Sequence, residues 1–77
     1  MISDDDLMSV FISALGIAED SAFDSLEYNS IDEWDSIGHM RLVSAIETKY
    51  DIMLDTDDVL GMSTFKIAQE IVEKHVG

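Results

Sequence analysis

An all-α fold, a small bundle of three main helices and one short one, is what this sequence predicts, and three observations carry the prediction. Apolar residues recur at helical spacing in separate stretches along a chain of 77 residues. Each stretch is preceded by Ser, Thr or Asp, residues whose side-chain oxygens cap free backbone N–H groups. Finally, 47% of the chain is apolar, too much for a disordered acidic tail, so a packed core is expected. The length allows a single domain spanning residues 1–77.

The first helix is predicted over residues 4–15. Ser3 caps it, Asp4, Asp5 and Asp6 favour the positive end of its dipole, and Leu7, Val10, Phe11, Ala14 and Leu15 form one apolar face before Gly16 stops it. Residues 17–35 have no sustained period. They read as a long loop in which Ile17, Phe23, Leu26, Tyr28 and Ile31 are apolar anchors among seven acidic residues, with a short helical turn near Phe23 as a way of shortening it. Asp35 caps the second helix and places Ser36 in its first turn. At 100° per residue, Leu42, Val43, Ile46 and Tyr50 group on a core side with His39 near their centre; Ile37, Arg41, Ser44 and Thr48 lie opposite, flanked by Met40 and Glu47. A short third helix takes Thr56 as cap, carries Val59 and Leu60, and closes at Gly61. Ser63 or Thr64 caps the last helix, whose core side is Phe65, Ala68, Ile71, Val72 and Val76, with Lys74 and His75 near its negative end.

Composition narrows the function. With 17 acidic residues against four basic ones, the net charge of −13 repels a nucleic-acid backbone or an anionic lipid surface. No apolar run approaches a membrane span, and the acidic start is unlike a secretory signal, so a cytoplasmic monomer without membrane insertion is expected. The absence of Cys removes disulfides, Cys-ligated metals and any thiol supplied by the chain itself. No metal site is expected: the run Asp55-Thr56-Asp57-Asp58 has Leu60 where a calcium loop needs Gly and Lys66 where it needs a bidentate Glu.

The segment Trp34-Asp35-Ser36-Ile37 resembles the Asp-Ser-Leu attachment motif of acyl carrier proteins, with Ile in the Leu place. The resemblance runs through nearly the whole chain: the short acidic first helix, the long loop, the serine opening helix two in Ser36-Ile37-Gly38-His39-Met40-Arg41-Leu42-Val43, the Ala45-Ile46-Glu47 segment and the brief third helix. It implies a four-helix carrier that is not itself an enzyme. A phosphopantetheinyl transferase would attach 4′-phosphopantetheine from coenzyme A to Ser36, beside its motif neighbour Asp35. A loading ligase or synthetase would then charge the thiol, and a downstream synthase or transferase would take the cargo. A phosphodiester is also physically suited to a helix N-terminus. The resemblance equally admits an aminoacyl carrier of the D-alanyl or peptidyl kind. A reading of another class is an unmodified acidic helical interaction module. A Ser36–His39 nucleophile pair lacks a recognisable orienting group or oxyanion site.

The chain departs from family members of general fatty-acid synthesis, which carry acidic residues just after the serine. Residues 1–16 carry −3, 17–35 carry −7 and 51–58 carry −4, whereas 36–50 carry +1 from Arg41 and Lys49 against Glu47. Rim charges govern partner choice, so a dedicated pathway, fatty-acid, polyketide or related, is expected. Its partner contacts are expected from Trp34, Ile37, Met40, Arg41, Ser44 and Glu47, although Trp34 also reads as a loop anchor packed on the bundle. Gly38 costs about 1 kcal/mol relative to Ala in a helix, and close approach of a partner or of the arm is one reason to keep it.

Overall fold

The computed structural model describes residues 2–76. They form α1 (Asp4–Leu15), α2 (Ser36–Tyr50), α3 (Thr56–Gly61) and α4 (Phe65–Val76), with a 3₁₀ turn at Phe23–Ser25 inside the long loop. The bundle prediction therefore holds. No helix among the described residues is long and apolar enough to cross a membrane.

Local chemistry sets most helix ends. Ser3 Oγ accepts from the Asp6 amide; the Gly16 N–H donates to the Ile12 carbonyl at 2.9 Å, and its left-handed φ of 70° turns the chain out of the helix. Asp35 Oδ1 accepts from the Gly38 amide at 2.8 Å. The third cap is Asp55 rather than Thr56: its carboxylate, one residue earlier, accepts from the Asp58 amide at 2.8 Å, and Thr56 becomes the first helical residue. For α4 the cap is Thr64, whose Oγ1 accepts from the Ile67 amide at 3.1 Å.

Leu7, Phe11 and Leu15 of α1 pack with Leu42 and Ile46 of α2 and with Phe65, Ala68, Ile71 and Val72 of α4. Phe11 is the hub: Trp34 and Phe65 meet it edge-on at centroid distances of 5.4 and 5.0 Å, and Phe23 at 6.3 Å. Such geometries set the positive edge of one ring on the negative face of another. Gln69 Nε2 donates to Asp4, tying α4 to the start of α1. Tyr50 lies half-buried at the far end of α2, its hydroxyl enclosed without a hydrogen-bond partner among the described residues. Burial, followed by the nearby Asp6 carboxylate, raises that phenol above its ordinary range.

One expectation about the core needs correction. Val76, the last residue of α4, is 40% exposed rather than part of the core side. In α3, Leu60 is 77% exposed, and the one buried residue of that helix is Asp58. A six-residue helix has too few turns for an apolar stripe, and an ion pair docks it instead. Asp58 accepts from Lys74 Nζ through Oδ1 and pairs with His75 Nε2 through Oδ2, both at 2.7 Å. These partners hold its carboxyl down at about 2, hydrogen bonds from Lys74 and then His75 being the main causes, while the same bond raises Lys74.

Candidate functional site

The long loop is built rather than slack. Its 3₁₀ turn buries Phe23, Leu26 follows it into the core, and Glu27 forms an isolated antiparallel bridge with Thr64. The Tyr28 amide donates to the Ser63 carbonyl and the Asn29 amide to the Trp34 carbonyl, each at 2.8 Å, with Asn29 at a φ of 67°. This turn delivers Trp34 to the core, where it is fully buried. The loop-anchor reading is therefore the correct one, and Trp34 presents no surface to a partner.

Trp34 reaches the site from beneath. Its Nε1–H donates to His39 Nδ1 at 2.9 Å, with the two rings only 20° from coplanar, and His39 Nε2 lies 2.7 Å from the Val59 carbonyl. An indole N–H only donates and a carbonyl only accepts. The two bonds together thus require the neutral tautomer with its proton on Nε2. His39 thereby joins the loop end to α2 and α3, and both its nitrogens are engaged. It offers no lone pair to Ser36, so the geometry excludes a Ser36–His39 nucleophile pair.

Above this layer Ser36 is exposed as the first residue of α2, and its Oγ lies 3.0 Å from the Tyr28 hydroxyl. The Tyr28 ring stands edge-on to His39 at 5.2 Å and to Trp34 at 6.4 Å. Asp35 spends one carboxylate oxygen on the Gly38 amide, and its carbonyl accepts from the His39 amide. Of the first-turn donors, this leaves the Ser36 and Ile37 amides without a partner among the described residues. Gly38 is buried: a Cβ there would overlap the backbone carbonyl oxygen of Glu33 and crowd Leu15. The close approach that Gly38 permits is therefore that of the chain's own loop, a correction to the idea of a partner or arm at that position.

Beyond Ser36 the outer face of α2 is open. Ile37 is 65% and Met40 57% exposed, and with Arg41, Ser44, Thr48 and Lys49 they line one shallow surface continuous with Ser36. Arg41 and Lys49 form no ion pair among the described residues. Glu47, expected on this stripe, turns away from it: half-buried, it accepts from the Leu54 amide at 2.9 Å and closes the α2–α3 connection.

Tyr28 is the site residue that sequence reasoning missed. It was legible as an apolar anchor, but a separation of eight residues in a loop carries no signal that its hydroxyl meets Ser36. None of the family models, curated proteins or solved structures compared with this chain matches it.

Proposed function

We propose that this protein is a discrete acyl carrier, modified with 4′-phosphopantetheine on Ser36 and acting in the cytoplasm between a loading ligase and a downstream synthase or transferase. One observation carries the reading: an exposed serine hydroxyl on the first residue of a 15-residue helix, beside two open backbone amides. The residues present fit the group. A phosphodiester on Ser36 would meet the Ser36 and Ile37 amides and the positive end of the helix dipole. When attached, the group supplies the thiol that a chain without Cys lacks.

The outer face of α2 supports a dedicated partner set. Ile37 and Met40 offer apolar contact, and Met side chains adapt readily to a partner surface. Arg41 and Ser44 flank them, and a partner bearing carboxylates complements Arg41 better than a basic one does. Arg41→Glu should slow charging by the natural ligase more than charging by a general fatty-acid enzyme.

The deciding experiment is incubation with coenzyme A and a broad-range phosphopantetheinyl transferase, read by intact mass. A gain of one phosphopantetheinyl group that Ser36→Ala abolishes is the expected result. No gain would leave the unmodified interaction module as the better account, and a gain that survives Ser36→Ala would move the site elsewhere.

A further inference from the structure

We infer that Tyr28 is a positioning residue for Ser36: its hydroxyl holds the serine side chain in one rotamer and presents Oγ to the incoming phosphoryl group. This rests on the carrier reading of Ser36. The observation beneath it is the 3.0 Å contact between the two hydroxyls, together with the way the tyrosine is held.

An exposed serine at a helix start ordinarily samples three staggered wells. Tyr28 does not share that freedom. Its backbone donates to Ser63 at 2.8 Å, next to the Glu27–Thr64 bridge, and its ring is set edge-on against His39 and Trp34. Those two rings are themselves fixed by the Trp34–His39–Val59 hydrogen bonds. The phenol oxygen thus belongs to a scaffold made by the long loop, α2, α3 and the α3–α4 connection, whereas Ser36 Oγ sits on a single rotatable bond.

With Tyr28 as donor, one lone pair of Ser36 Oγ is occupied. The other lone pair and the serine proton remain for the reaction. In the transfer, Ser36 Oγ forms the new O–P bond, and the O–P bond to the adenosine bisphosphate part of coenzyme A breaks, its electron pair leaving with that part. The Ser36 proton passes to a base of the transferase. Restricting Oγ to one well out of three raises the reactive fraction by up to about threefold.

Tyr28→Phe tests this, since it keeps the ring and its edge contacts and removes only the hydroxyl. In the wild-type chain the three-bond Hα–Hβ couplings of Ser36 should report a single rotamer; in Tyr28→Phe they should average, at an unchanged melting temperature. The initial rate of Ser36 loading at subsaturating carrier should fall by about threefold, matching the population lost. Averaged couplings in the wild type overturn the inference without any variant. Loading of Tyr28→Phe at the wild-type rate also overturns it. The carrier reading fails separately, by the absence of any mass gain in a wild-type chain whose Ser36 couplings show one rotamer.

Discussion

Gly38→Ala is the perturbation that most directly tests how the site is assembled. In an isolated helix the change would stabilise, by about 1 kcal/mol of intrinsic propensity. In this fold the added Cβ overlaps the Glu33 carbonyl oxygen and comes within 3.3 Å of both the Glu33 carbonyl carbon and Leu15 Cδ2. The two Glu33 atoms are backbone, so no rotamer change relieves them. Moving Glu33 means dragging the adjoining Trp34, whose carbonyl accepts from Asn29 and whose ring is fully buried against Phe11. Moving α2 instead opens its contact with α1 at Leu15. Overpacking a tight site costs about 1–3 kcal/mol, and a backbone obstacle belongs at the upper end of that range. Setting the helix gain against it leaves a net loss of about 1–2 kcal/mol, or roughly 5–15 °C in melting temperature for a domain of this size. Urea and thermal unfolding followed by far-UV circular dichroism and by fluorescence of the sole tryptophan, Trp34, measure this. Gly61→Ala is the control: nothing lies within 4 Å of its added Cβ, and it should be neutral or stabilising by up to about 1 kcal/mol. Gly38→Ala with stability equal to or above wild type would refute the reasoning.

Three other outcomes follow from the same geometry. His39→Ala leaves the buried Trp34 N–H and the Val59 carbonyl without partners, and equilibrium urea unfolding should show a loss of about 2–4 kcal/mol; a loss under about 1 kcal/mol would mean the bridge contributes little. Tyr50→Phe removes an enclosed hydroxyl that has no partner among the described residues, so the variant should match or exceed wild-type stability by up to about 1 kcal/mol, and a clear loss in thermal melting would reveal a bond there. Asp58, with its carboxyl depressed to about 2, contributes stability that is present above its ordinary value near 3.8 and is lost as the pH falls from there toward 2. Lys74, raised by the same bond, contributes below its ordinary value of 10.5 and loses that contribution at pH above it. Acid unfolding curves of the wild type and Asp58→Asn should therefore converge as the pH approaches 2, and a constant separation between them would count against the pairing.

The helices and the position of Ser36 follow from local order along the chain. Apolar spacing and capping act within about one turn, so the bounds of α1, the Asp35 cap and the buried face Leu42, Val43 and Ile46 were all legible from neighbours in the chain. Side chains that could have gone either way were decided by the tertiary structure. Glu47 sits at the edge between the two faces of α2, and the return of the chain at Leu54 draws its carboxylate off the outer stripe. Asp58 looked like part of an acidic run and became the ion-paired dock of α3 only because the end of α4 arrives beside it. Trp34 reads as a loop anchor from its sequence, and the Glu27–Thr64 bridge and the 3₁₀ turn, which fold the loop inward, bury it fully. Gly38 reverses its expected sign for the same reason: propensity is a property of its own helix, whereas the obstacle to a side chain is the carbonyl of a loop held by residues as distant as Thr64. Periodicity records how a residue relates to its own helix axis, and the Tyr28–Ser36 contact depends on where separate elements come to rest against one another.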